Sequence, residues 1–283
     1  MLLRFTKMQG AGNDFVMLNA YDKSLTLTPE QIRFICDRRF GVGCDQMLVV
    51  EKSTTPAADF KYRIFNQDGG EVEMCGNGAR CFAVFVREQG LTDKRTITCE
   101  TVKGVIAPTV EDDGRVTVDM GAPHFAPEDV GFDAEGVSRL SRAADTLYQI
   151  RAGGEDNWVS IVSMGNPHAV RLVGDVDEAP VETVGEAFQH LERFKNRVNV
   201  GFLQIESRSK ARLRVYERGV GETLACGSGA CAAVVAGIRR GALDNAVEVE
   251  MRGGTLRITW DGADGHVFLT GPAVTVFTGE IDI

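Results

Sequence analysis

The segment Lys61–Gly90 lies over Arg212–Gly241 without a gap, at an offset of 151 residues. Identities fall at Arg63/Arg214, Gly70/Gly221, Glu71/Glu222, Cys75/Cys226, Gly76/Gly227, Gly78/Gly229, Ala79/Ala230, Val84/Val235 and Gly90/Gly241. Nine matches in thirty positions compare with roughly two expected from ordinary residue frequencies. The likeness continues with small insertions: Gly12-Asn13 ahead of Val16 parallels Gly165-Asn166 ahead of Val170, and Glu100–Gly104 parallels Glu250–Gly254. A long period that occurs twice denotes duplicated domains, not a solenoid. In a chain of 283 residues, this predicts one half at 1–121, to which the last strand at 272–283 returns, and a second half at 122–271.

Composition narrows the classes. The chain is 43% hydrophobic and 25% charged, which excludes a disordered or collagen-like polymer. Its longest apolar runs fall short of the roughly 18 to 20 residues of a membrane span, and the opening MLLRFTKMQG is too short and polar for a signal peptide. The expectation is a soluble, cytoplasmic protein. The formal charge is −9 with no Lys/Arg block, so nucleic acid is not an expected partner. Seven cysteines, an odd number without a secretory signal, point to reduced thiols.

Short alternating or β-branched runs such as Tyr62–Phe65, Val116–Val118, Ala211–Tyr216, Val247–Met251 and Thr255–Trp260 read as strands bounded by Gly, Asp and Asn. Ala79–Gln89 and Ala230–Arg240 differ: they are apolar nearly all round and each stops at a glycine suited to a helix C-terminus. A helix apolar on every side belongs in an interior. The expected fold is therefore α+β, with two pseudo-symmetric duplicated domains. Each is a curved, mostly antiparallel, barrel-like sheet wrapped around one buried helix, with the active site in the cleft between them. Gln31–Phe40 and Val184–Phe194 read as smaller surface helices.

Both central helices open on Cys-Gly-x-Gly-Ala, at Cys75–Ala79 and Cys226–Ala230. Unpaired amides at a helix N-terminus favour anions, so a cysteine there spends more time as thiolate. Glycines let a ligand approach those amides, which makes each turn a cradle for a carboxylate. Two such thiols facing one ligand suit the inversion of a stereocentre, in which one removes the α-proton and the other delivers a proton to the opposite face. The α-proton is far less acidic than a thiol, so the cradles must also stabilise a carbanion-like transition state. Cys81 and Cys231 fall on apolar helix faces and read as core, and Cys36, Cys44 and Cys99 as structural or incidental. No Cys-x2-Cys pair or clustered His suggests a metal.

The string Tyr216–Cys231, YERGVGETLACGSGAC, resembles the second signature of the diaminopimelate epimerase family, and Asn66–Glu71 with Met74–Arg80 resembles the first. Gly12-Asn13-Asp14-Phe15, Gly43-Cys44-Asp45-Gln46, Gly165-Asn166-Pro167-His168, Arg197-Val198-Asn199-Val200, Gly271-Pro272-Ala273 and Val276–Ile281 extend the likeness over essentially the whole chain. The resemblance implies interconversion of L,L- and meso-2,6-diaminopimelate without pyridoxal phosphate, metal or other cofactor, in lysine and peptidoglycan precursor biosynthesis. It implies Cys75 and Cys226 as the two acid–base residues, with the backbone of Gly76, Asn77, Gly227 and Ser228 around the carboxylate at the reacting carbon. It further implies Asn13, Gln46, Asn66, Asn166, Asn199, Glu217 and Arg218 as substrate contacts, His168 and Glu217 as tuners of the thiols, and a homodimer. A substrate zwitterionic at both ends suits that set, since a distal carboxylate seeks a guanidinium and amide donors, and a distal ammonium seeks a carboxylate and amide oxygens. Gln9, Ala11 and Cys44 depart from the family's commonest wording.

Two other readings stand beside this one. A proline or hydroxyproline type of racemase would share the duplicated architecture and the two thiols but have no use for Arg218, Glu217 and four asparagines. A catalytically silent binding protein would keep the cleft and tolerate Cys-to-Ser changes.

Overall fold

Alternation of buried and exposed positions builds the strands, and the two stretches apolar on every side form the helices that the strands cover. A computed structural model describes residues 1–72, 75–102 and 104–283. The chain divides into two units, Met1–Asp119 with Thr270–Ile283, and Met120–Leu269.

The first unit runs β1 (Leu2–Gly10), β2 (Asn13–Asn19), α1 (Pro29–Cys36), β3 (Gln46–Lys52), β4 (Phe60–Asn66), β5 (Glu71–Val72), α2 (Gly76–Glu88), β6 (Cys99–Thr101), β7 (Gly104–Ile106), β8 (Thr109–Val110) and β9 (Val116–Asp119). The second runs α3 (Pro127–Val130), β10 (Arg139–Arg142), β11 (Asp145–Ala152), β12 (Glu155–Ser163), β13 (Pro167–Leu172), α4 (Val181–Gln189), β14 (Asn199–Ser207), β15 (Lys210–Glu217), β16 (Gly221–Thr223), α5 (Gly227–Arg239), β17 (Ala246–Met251), β18 (Gly254–Thr259) and β19 (Phe268–Gly271). The final strand, β20 (Val274–Asp282), lies antiparallel to β1 as an edge of the first unit's sheet.

The repeat seen in the sequence is a repeat of topology. In the first unit β1 pairs antiparallel with β2, β2 parallel with β3, β3 antiparallel with β4, and β4 parallel with β6. In the second, β12, β13, β14, β15 and β17 follow with the same senses. Register repeats as well: Phe15 faces Gln46 and His168 faces Asn199 across the parallel pairs. Each unit is thus a mixed, mostly antiparallel sheet with few helices. Among the described residues both sheets run edge to edge without closing, so the barrel-like expectation becomes an open sheet.

α2 and α5 sit on the inner faces. α2 packs on β1, β2, β3, β8 and β9, and α5 on β12, β13, β14, β15 and β18. The Phe82 ring of α2 meets Phe60 edge-on at 5.9 Å and Tyr62 at a tilt at 5.7 Å, and burying each such side chain stabilises the unit by about 1.5–3 kcal/mol. Both helices begin three residues before the expected Ala79 and Ala230, because the Gly-x-Gly segments are themselves helical. Both end before a left-handed glycine, Gly90 at φ 68° and Gly241 at φ 71°, as a C-terminal glycine should.

The surface helices shift further from expectation. α1 starts at Pro29 behind a reciprocal Thr28–Gln31 capping box and stops at Cys36. Asp37 then turns the chain, its Oδ1 accepting from the amides of Arg39 at 2.7 Å and Phe40 at 2.8 Å. α4 occupies Val181–Gln189, not 184–194. No helix among the described residues is long and apolar enough to cross a membrane.

Candidate active site

In each unit one helix N-terminus and three strand ends converge. Asn13 opens β2, Gln46 opens β3, Asn66 closes β4, and Cys75 is the N-cap of α2 followed by Gly76 and Asn77. In the second unit Asn166 and His168 stand at the start of β13, Asn199 opens β14, and Glu217 closes β15 with Arg218 in the turn beyond. Cys226 is the N-cap of α5, followed by Gly227 and Ser228. Gly12 and Gly165, both at φ 84°, make the left-handed step that delivers Asn13 and Asn166.

Neither cysteine side chain caps its helix, and neither first turn carries an acidic residue. The positive end of each helix dipole is therefore not neutralised locally, which suits a carboxylate. The second glycine of each motif serves packing, not ligand approach. A Cβ on Gly78 would come within 3.1 Å of Leu48 and 3.3 Å of Phe15, and one on Gly229 within 3.0 Å of Val215 and 3.2 Å of the Cys226 sulfur.

The first half-site is a chain of amides. Cys75 Sγ lies 3.6 Å from Asn13 Oδ1, which also accepts from Asn77 Nδ2 at 3.2 Å. Asn13 Nδ2 donates to Asp45 at 2.9 Å, and Gln46 Nε2 donates to Asn66 Oδ1 at 2.9 Å. Asp45 is tied in turn to Arg38 at 2.7 Å, and Arg38 grips Asp14 with two bonds at 2.8 and 2.7 Å. Burial alone would raise the Asp14 carboxyl, yet hydrogen bonds from Arg38 and Lys7 hold it far below the usual carboxylate range. The buried phenol of Tyr62 accepts from the Cys75 amide at 3.2 Å.

The second half-site differs in charge. Asn166 Nδ2 donates to Ser228 Oγ at 3.2 Å, and Ser228 Oγ lies 3.7 Å from Cys226 Sγ. His168 Nε2 lies 3.0 Å from Asn166 Oδ1. Burial, and then the charge of Arg218, pull the His168 pKa down to about 3, so the ring is neutral and donates from Nε2. Asn199 Nδ2 donates to the Pro167 carbonyl at 3.0 Å and its Oδ1 accepts from the Arg218 amide at 3.0 Å. Thr223 Oγ1 donates to Glu217 at 2.5 Å. Burial first, and the Glu217 charge second, push the Cys226 thiol well above its ordinary value, so a thiol on this side keeps its proton in the resting site.

The first unit thus gathers Asn13, Gln46, Asn66, Cys75, Gly76 and Asn77, and the second gathers Asn166, His168, Asn199, Glu217, Arg218, Cys226, Gly227 and Ser228. Asp45, Tyr62 and Thr223 escape sequence reasoning. Asp45 stood there only as the residue before Gln46, Tyr62 only as the start of a strand and Thr223 only as a letter of the second signature. Cys81 and Cys231 are fully buried in their helices. Cys36 and Cys44 are buried with their sulfurs 3.4 Å apart. Among the described residues no group of three His, Cys, Asp or Glu is placed to hold a metal ion.

Solved structures with this fold include a phenazine biosynthesis protein of the PhzF family from Bacillus anthracis, with TM-score 0.69, 18% identity and all of both chains covered. A hydroxyproline epimerase from Agrobacterium vitis, solved with bound trans-4-hydroxy-L-proline, has TM-score 0.67 and 15% identity over 99% of this chain and 92% of that one. The fold is therefore the duplicated α+β fold that these proteins share. The diaminopimelate epimerase family model matches residues 5–126 and 160–276, and the chain belongs to that family. It is 57% identical to the diaminopimelate epimerase of Cupriavidus necator, over all of this chain and 98% of the relative. It is 56% identical to that of Herminiimonas arsenicoxydans over the whole of both.

Proposed function

We propose that the chain epimerises L,L-2,6-diaminopimelate to the meso form through Cys75 and Cys226 acting as a thiolate–thiol pair. The observation that carries this is the placement of each cysteine as the N-cap of a buried helix whose first turn is left without an acidic residue or a side-chain cap.

In that reading the amides of Gly76, Asn77, Gly227 and Ser228 take the carboxylate at the reacting carbon and stabilise the charge that develops there. One sulfur takes the α-proton while the other gives its proton to the opposite face, so one thiolate and one thiol remain with their roles exchanged. Arg218 takes the distal carboxylate, and Glu217 with Asn66, Asn166 and Asn199 the distal ammonium, which selects the end that reacts. His168 tunes Cys226 through Asn166 and Ser228, and Glu217 tunes it by charge. The enzyme works in the cytoplasm as a homodimer. The exposed apolar side chains of Val274, Val276 and Phe277 on the edge strand β20 support that assembly.

The experiment is proton NMR of L,L-diaminopimelate in D2O with the reduced protein and no added cofactor. Formation of the meso isomer with deuterium at the α-carbon is the expected result. Exchange of proline or hydroxyproline instead would assign a racemase, and exchange of none of these substrates a binding protein.

A further inference from the structure

Arg80, on the first turns of α2, is fully buried and is among the bulkiest fully buried side chains. Its Nη1 donates to Asn77 Oδ1 at 2.9 Å and its Nε to the Pro272 carbonyl at 3.1 Å. Gly10, at the end of β1, leaves space for it: a Cβ there would stand 2.9 Å from Arg80 Nη2. A guanidinium does not shed its proton in a protein, so a permanent charge sits in the interior. Burying one carries a desolvation cost that an apolar side chain of similar volume avoids. The duplicated helix shows that the fold does not demand it, because the equivalent residue, Cys231, is equally buried and neutral.

Donor and acceptor chemistry shows what the charge does. Arginine has only donors, so Asn77 must turn Oδ1 toward Arg80, and its Nδ2 then donates to Asn13 Oδ1. At the far end the Asp45 carboxylate, paired with Arg38, has only acceptors and takes Asn13 Nδ2. Two amides that could each flip are thus held in one orientation by a fixed charge at either end. The oxygen of Asn13 is left facing the Cys75 sulfur. The second half-site lacks the charged anchors: Asn166 turns Nδ2 toward Ser228 and Oδ1 toward neutral His168. The equivalent amides present opposite ends to their half-sites.

We propose that Arg80 is a positioning residue for the reaction, holding the Asn13 carbonyl oxygen on the Cys75 thiol through Asn77, so that this sulfur gives and receives its proton along one direction. The inference rests on the two-thiol reading above for its catalytic meaning, while the amide orientation can be measured without any substrate.

The test compares the intact protein with Arg80→Met, Arg80→Lys and Gly10→Ala. Hydrogen exchange of the Asn13 and Asn77 side-chain amides is followed by nitrogen-15 NMR, and kcat and KM are measured with L,L-diaminopimelate. Arg80→Met should lose the slow exchange of both amides and lower kcat by about 10-fold or more, with KM changed by less than about 3-fold. Arg80→Lys, which keeps the charge but spans fewer acceptors, should recover part of kcat. Gly10→Ala, whose methyl pushes on Nη2, should lower kcat in the same direction by a smaller factor. If Arg80→Met does not fold, Arg80→Lys and Gly10→Ala carry the test. Slow amide exchange and kcat both unchanged in the folded variants would overturn the proposal. Failure of the unaltered protein to act on L,L-diaminopimelate would instead overturn the functional reading and leave the amide result standing.

Discussion

Arg214 grips Glu222 with two hydrogen bonds, Nε to Oε1 at 2.7 Å and Nη2 to Oε2 at 2.8 Å. Arg63 and Glu71 repeat the grip in the first unit at 2.9 and 2.7 Å. The identities at these four positions are therefore structural, tying β15 to β16 and β4 to β5 just ahead of the two helices. The pairs differ in depth: the Glu222 side chain is 4% exposed and that of Glu71 is 32%. Breaking a buried pair costs about 3–5 kcal/mol, against about 0.2–1 kcal/mol for an exposed one. Arg214→Met should lower stability to urea by about 3 kcal/mol and Arg63→Met by less than about 1. Equal losses would contradict the ranking by burial.

Glu222 also sets a pH dependence. The hydrogen bond from Arg214, opposed by burial and helped by Arg252, holds its carboxyl below the ordinary glutamate value. A depressed folded pKa contributes stability that is present above the unfolded value and lost as pH falls through the folded one. Urea midpoints should therefore drop as pH falls below about 4.5, and Glu222→Gln should flatten that drop while lowering stability at pH 7. An unchanged acid slope in the variant would show that other carboxylates carry it.

His168 titrates the other way from an exposed histidine. With its folded pKa pulled from 6.5 to about 3, the native state resists protonation. Its contribution is complete above the unfolded value and is lost as pH falls toward the folded one, by about 1.4 kcal/mol per pH unit. Nitrogen-15 NMR should show a single neutral tautomer protonated at Nε2 from pH 5 to 9. A charged ring at pH 6 would contradict the lowered pKa and the neutral state assigned to His168.

Cys75→Ser and Cys226→Ser should each lower epimerisation by about 10²-fold or more with circular dichroism unchanged, because serine keeps the size of cysteine but is a far weaker acid. Either variant keeping most of its activity in the D2O assay would remove that thiol from the mechanism.

Gly229→Ala should damage the second half-site selectively. The added methyl meets Val215 at 3.0 Å and the Cys226 sulfur at 3.2 Å, and overpacking of this kind costs about 1–3 kcal/mol. The expected result is a lower melting temperature with slower alkylation of Cys226 and no change in the alkylation of Cys75. Equal slowing of both thiols would mean that the methyl acts on the whole fold.

Much of this architecture was legible in the chain because duplication preserves whatever every copy needs. The gap-free offset placed Cys75 and Cys226 at equivalent helix starts, and the all-apolar runs behind them named the buried helices. Periodicity misplaced α1, whose limits depend on Thr28 capping one end and Asp37 turning the other, and α4, which starts at Val181 directly after Pro180. The Gly-x-Gly motif at the helix start suggested ligand approach for its glycines, whereas a Cβ on Gly78 would meet Leu48 and Phe15 and one on Gly229 would meet Val215, residues distant in sequence.

The sequence by itself determined the twofold plan, the two thiols and their helices, since these depend on local residue order that both halves share. Tertiary structure alone decided the surroundings of each thiol. Arg80 and Cys231 occupy equivalent places in the repeat, and nothing local distinguishes a buried arginine that orients Asn77 and Asn13 from a solvated one. That difference arises only when β1 ends in Gly10 beside the guanidinium and Pro272 returns from the far end of the chain to accept its hydrogen bond. Burial and donor–acceptor pairing are properties of packed neighbours, so they exist only once the chain has folded.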